Sequence, residues 1–160
     1  MQRQLQMIAK VSRLMNVIAG IGLTFMILIT VADVILRSFR RPILGTYELV
    51  ALSGAVVIGF SIPFTSWIKG HIYVDFFILK LPQTGRKVFS LVTKCLGIGL
   101  FLIIGINLFV LGMDLKKAGE VSLTLHVPFY PVIYGIGICC FFQCFVLLGD
   151  IVKIHGRKDE

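Results

Sequence analysis

Four apolar runs, each long enough to cross a lipid bilayer, constrain this chain more than any other feature. They cover approximately residues 14–36, 49–68, 88–113 and 132–154. A hydrocarbon core of about 30 Å takes about 20 helical residues at about 1.5 Å of rise each. None of the runs alternates with a period of two, so a closed barrel is excluded, and helices must satisfy the backbone internally. Composition agrees: 57% of the 160 residues are hydrophobic, 15% are charged, and mean hydropathy is +0.93. So few polar residues could not coat a soluble globule of this size. The expected fold is an all-α integral membrane protein, a single four-helix unit over 1–160, with a short interfacial segment between the second and third helices.

The connections carry the charge. The formal net charge is +8, from sixteen Lys and Arg against eight Asp and Glu. These basic residues fall in small groups between apolar runs, without an aromatic-interleaved basic face, which places them as topology signals and not as a nucleic-acid site. Ten lie on the side of the two termini and the second connection (Arg3, Lys10, Arg13, Lys69, Lys80, Arg86, Lys87, Lys153, Arg157, Lys158). Five lie on the other side: Arg37, Arg40, Arg41, Lys116 and Lys117. The positive-inside rule then puts both termini in the cytoplasm, with the first run as an uncleaved signal anchor.

Each connection has its own character. The first, from Arg37 to Glu48, holds three arginines, Pro42 and Gly45 between two membrane runs. Asp33 precedes Arg37 by four residues, the favourable acid-then-base spacing on a helix, and is expected to form a structural ion pair there. Glu48 opens the second helix, where the dipole favours an acid, with Thr46 as a possible N-cap and the nearby arginines as partners. An ion pair or a contact to another subunit both fit Asp33, Arg37 and Glu48. The second connection, from Lys69 through His71, Asp75, Phe76, Phe77 and Leu79 to Pro82, is too apolar for a free loop and too short to span. It is expected to lie along the interface, with Phe76, Phe77 and Leu79 against lipid or a partner. Lys94, about two turns into the third helix, is expected to snorkel toward the surface.

Nothing in the sequence assembles a catalytic centre. His71, His126 and His155 are scattered over connections and the C-terminal tail, not paired within helices as haem or zinc ligation would need. Cys95, Cys139, Cys140 and Cys144 all lie in apolar runs and read as packing residues. Ser53, Ser61, Thr65, Asn107 and Gln143 suit hydrogen bonds between helices, and glycines at 54, 59, 97, 99, 105, 112, 135 and 137 offer flat surfaces for close approach. Pro63 predicts a kink or an irregular turn in the second helix.

Three short motifs in this order and frame resemble a known family. They are Arg37-x-x-x-Arg-Pro42-Ile-x-Gly-x-x-Glu48-Leu, Lys69-Gly-His-Ile-x-Val-Asp75 and Leu81-Pro82. Over roughly residues 14–150 the chain looks like the small membrane subunit of tripartite ATP-independent periplasmic (TRAP) transporters. The resemblance implies a scaffold in the bacterial inner membrane that braces a large membrane subunit, with a periplasmic binding protein delivering substrate, usually an organic acid. It implies sodium and substrate sites in the large subunit and no cofactor in this one. The basic residues Arg37, Arg40, Arg41, Lys116 and Lys117 then become the expected docking group for the binding protein. The competing classes are a standalone four-helix transporter, which calls for an embedded acid nearer the midplane than Asp33, and a membrane redox-enzyme subunit, which calls for a polar constellation missing from the runs.

Overall fold

The computed structural model describes residues 2–68 and 83–156. The described residues form four helices: α1 (Gln2–Ser38), α2 (Thr46–Trp67), α3 (Gln83–Ala118) and α4 (Tyr130–Gly156). All four are long and apolar enough to cross a membrane, so the protein is an all-α, multi-pass membrane protein. The segment expected at the interface, with His71, Asp75, Phe76, Phe77 and Leu79, lies outside the described residues. Every helix extends beyond its apolar run at one end at least. A helix carries its polar ends past the hydrocarbon into the headgroup region, where hydropathy gives no signal.

The ends follow from local chemistry. After α1, the Arg41 N–H donates to the Leu36 carbonyl at 2.9 Å, and Arg40 occupies the left-handed region at φ 59°. This is the closing turn that glycine normally serves, and here an arginine takes it. Gly119 does the same for α3 at φ 67°, with the Glu120 N–H donating to the Leu115 carbonyl at 3.1 Å. Helix α2 starts on Gly45, at φ 81°, whose carbonyl accepts from the Glu48 and Leu49 N–H groups at 3.0 and 3.1 Å. Thr46 is therefore not the N-cap: its hydroxyl turns back to donate to the Ile43 carbonyl at 3.0 Å.

The helices pack as an open row in the order α1, α2, α4, α3, with only slight contact between α1 and α4. Sequence neighbours in the row run antiparallel, but α2 and α4 run parallel, because one crossing of the membrane separates them. Their register is constant. Gly59 meets Ile136, Ser66 meets Gln143, and Glu48 meets Leu125, each 77 residues apart. Pro63 lies fully buried one turn from both Gly59 and Ser66. The helix continues through it, so the hydrogen bond that proline cannot donate to the Gly59 carbonyl is lost without ending α2.

Glycine decides the contact between α3 and α4. A methyl placed at Gly112 would stand 2.7 Å from the Tyr134 ring, and one at Gly137 would stand 2.9 Å from the Phe109 ring. Phe109 in turn stacks at tilted angles on Tyr134 and Phe141, with ring centroids 5.5 and 5.7 Å away. The rings of one helix thus fill the flat places of the other, which is how helices associate where no hydrophobic driving force distinguishes protein from lipid. Gly99, by contrast, faces open space on α3. Gly112→Leu or Gly137→Leu should therefore force α3 away from α4 and cost about 1–3 kcal/mol, while Gly99→Leu leaves the isolated chain's stability unchanged. Thermal unfolding in detergent distinguishes them, and equal loss at all three positions would contradict this packing.

Candidate functional site

The ion pairs and the polar contacts to the connections collect toward the two ends of the helices. At the end bearing the 39–45 and 119–129 connections, Asp33 is 4% exposed although α1 is otherwise open on most sides. One of its oxygens accepts from the Arg37 guanidinium one turn later, and the other accepts from the Ile43 backbone N–H at 2.9 Å. Asp33 thereby ties the first connection back onto α1, and Arg37, in turn, lies 6.0 Å from the centre of the Tyr47 ring. The expected acid-base spacing of four residues meets here in one geometry that also fixes a loop.

Glu48 behaves differently from the ion pair expected of it. Its carboxylate accepts two backbone hydrogen bonds from the far connection, from the Thr124 N–H at 2.7 Å and the Leu125 N–H at 3.0 Å. The ion pairs among the described residues are Asp33–Arg37 and Lys94–Asp150, so neither Arg37, Arg40 nor Arg41 pairs with Glu48. The reason is geometric. At the first turn of α2 the side chain points along the helix face that meets α4, and there it finds two adjacent amides with no other acceptor. Those amides are presented by a tight hairpin in which Ser122 and Val127 exchange backbone and side-chain bonds at 3.0 and 3.2 Å, with His126 at φ 52° in the turn. Leu125 then packs on Gly45 so closely that a methyl at residue 45 would stand 2.5 Å from it.

The clamp leaves the basic residues free. Arg40, Arg41, Lys116 and Lys117 are exposed and make no ion pair within the described chain, although Lys116 lies 5.9 Å from the centre of the Tyr130 ring. Beside them Leu44, Tyr47 and Leu123 are exposed, Leu123 to 93%. Below the clamp, a largely apolar crevice of about 470 Å³ opens between α2 and α4, lined by Ala51, Ala55, Leu115, Phe129 and Ile136 among others.

At the opposite end Lys94 turns inward instead of snorkelling. Its ammonium donates to the Asp150 carboxylate at 3.0 Å, with both side chains almost buried between α3 and α4. Asp150 was missed in the sequence because it falls four residues short of the expected end of its run, where an acid reads as interfacial. The usable signal was a second ionisable residue inside an apolar run opposite Lys94. Alongside, the Gln143 carboxamide donates to the Ser66 hydroxyl across α2 and α4. Of the other polar residues expected to bridge helices, Ser61, Thr65 and Asn107 instead bond to their own backbone. The thiols of Cys139, Cys140 and Cys144 are free and buried, that of Cys95 free and exposed. No three His, Cys, Asp or Glu side chains converge among the described residues.

These arrangements fix loops and helix positions. In comparison with known protein families, the family model for the DctQ component of tripartite ATP-independent periplasmic transporters matches residues 26–155, more than three quarters of the chain. No curated protein and no solved structure matches it.

Two outcomes test the geometry. Glu48→Gln removes one acceptor and the charge, so amide exchange at Thr124 and Leu125 should quicken on the order of tenfold while α1 exchanges as before. At the other end, Lys94→Met leaves Asp150 buried and alone and should cost roughly 3–5 kcal/mol of stability in detergent, most of it recovered in the Lys94→Met, Asp150→Leu double variant.

Proposed function

The chain belongs to the DctQ component family of tripartite ATP-independent periplasmic transporters, whose members work with a large membrane subunit and a binding protein, and on that premise we propose that it is the fixed scaffold of such a transporter. In this reading the chain braces the large subunit and itself moves nothing. Sodium coupling and the substrate, an organic acid, belong to the large subunit and the binding protein, and this subunit carries no cofactor. The chain sits in the inner membrane with both termini cytoplasmic and its 39–45 and 119–129 connections periplasmic. Lipid surrounds the outward faces of α1 and α3 wherever protein does not.

The observation that carries the reading is the clamp of Glu48 on Thr124 and Leu125. It ties the first turn of α2 to the 119–129 connection, a cross-link between separate segments of the kind a scaffold would use. The face so formed also suits docking. Arg40, Arg41, Lys116 and Lys117 project from it unpaired, and Arg37, though paired with Asp33, stays half exposed. Their number on the sparser side of the charge count supports a role in drawing in an acidic surface of the binding protein. Exposed charges of this kind steer encounter more than they set final affinity.

Reconstituted liposomes with a sodium gradient test the scaffold. Uptake is expected only when the chain, the large subunit and the binding protein are all present, and uptake by the chain alone would refute the reading. Neutralising Arg40 and Lys117 together should slow association of the binding protein and flatten its salt dependence, with little change in dissociation. For orientation, single cysteines at residues 40 and 117 in a version without native cysteines should react with an impermeant thiol reagent in intact cells, and those at residues 3 and 158 should not.

A further inference from the structure

Asn107 lies in the membrane-spanning part of α3, Val88–Ala118, six residues before the end of the apolar run at Met113 and thus about 9 Å inside it. The face of α3 that meets α4 is marked by Lys94, Gly97, Gly105 and Gly112, which contact Asp150, Leu147, Phe141 and Tyr134. At about 100° per residue, Leu96, Gly99, Ile103, Asn107 and Val110 fall on the opposite side. Among the described residues that side is open, because α3 ends the row with α4 as its neighbour; Leu96 and Ile103 are 70% and 63% exposed. Leucine and isoleucine facing hydrocarbon need no explanation. An asparagine does.

The Asn107 carboxamide donates one N–H to the Ile103 carbonyl at 2.8 Å, which leaves its second N–H and its Oδ1 without a partner in the described chain. Other polar residues on open helix faces avoid this problem. Thr24, Thr30 and Thr93 each donate their single hydroxyl hydrogen to the carbonyl four residues back, at 3.0, 2.7 and 2.9 Å. A carboxamide has two donors and an acceptor, and its own helix can take only one of them. Within the hydrocarbon there is no bulk water to take the rest, and bare amide groups there are strongly disfavoured. Two turns before it, Gly99 has nothing within 4 Å of where a methyl would stand, so another backbone can come close on the same side.

We propose that the Gly99–Ile103–Asn107 face of α3 docks a transmembrane helix of the large membrane subunit, which supplies a hydroxyl, carboxamide or backbone group to the unpaired carboxamide of Asn107. This rests on the scaffold reading above and adds the face through which the scaffold holds its partner. The large subunit is the occupant because family membership brings it, as a membrane partner, to this chain. A second copy, pairing Asn107 with Asn107, is the competing occupant.

The test uses the full chain co-expressed with the large subunit. A photo-crosslinking residue at Ile103 should give an adduct with the large subunit, and one at Leu28, exposed on α1 at the other end of the row, should not. Asn107→Leu should lower the amount of large subunit recovered with the chain about threefold, as expected for loss of one interhelical hydrogen bond in a membrane, and Asn107→Gln should retain it. Neither change should move the isolated chain's unfolding temperature. An adduct from Ile103 to a second copy, adducts to the large subunit from Leu28 and not Ile103, or undiminished recovery with Asn107→Leu would each overturn the assignment while leaving the scaffold intact. Failure of the native chain to recover any large subunit would instead overturn the scaffold reading as well.

Discussion

The parallel pairing of α2 with α4 is the contact on which the rest of the structure depends. Sequence neighbours in a membrane bundle are held together by short connections, but α2 and α4 are separated by a further crossing, and only side-chain contacts place them side by side. Those contacts repeat at a fixed offset. Glu48 takes the Thr124 and Leu125 amides at one end, Gly59 receives Ile136 in the middle, and Ser66 accepts from Gln143 at the other. Hydrogen bonds at both ends of a smooth central contact set the depth of each helix relative to the other, which packing of apolar side chains alone would leave free to slide.

From that pair the row extends outward in two directions by different means. Helix α1 is tied to the start of α2 by Asp33, which holds both Arg37 and the Ile43 N–H, and so turns a flexible connection into a bracket. Helix α3 is joined to α4 by rings set against glycines and by the buried Lys94–Asp150 pair. That pair lies near one end of the span, where the headgroup region lowers the penalty for charge, and each member satisfies the other. An open row built this way has two broad unshared faces. For a chain that works with a large membrane subunit, broad free faces are an asset, because they provide contact area without first dismantling a closed bundle.

The division of labour among charges follows from the same geometry. Three acids are satisfied inside the chain, Asp33 on a loop, Glu48 on a hairpin and Asp150 on a lysine, while Asp114 and Glu120 stay exposed. On the face with the two connections, this leaves Arg40, Arg41, Lys116 and Lys117 without ion-pair partners on a platform held by backbone hydrogen bonds. Four positive charges gathered on one face raise the local positive potential there.

The number, type and approximate extent of the four helices were legible in the sequence because hydrocarbon thickness and backbone satisfaction admit few alternatives. So was the Asp33–Arg37 contact, which needs only helical spacing. The family, too, was legible in three short motifs whose order survives without any knowledge of packing. What the sequence could not assign was the partner of each polar side chain across long separations. Glu48 had three arginines within reach along the chain, yet its acceptors proved to be satisfied by amides 76 and 77 residues away. Lys94 had a path to the surface, yet it found Asp150, 56 residues later. Only the tertiary structure decided these, because in an apolar sequence nearly every helix face can pack, and the register that brings a donor to an acceptor exists only once the helices are side by side.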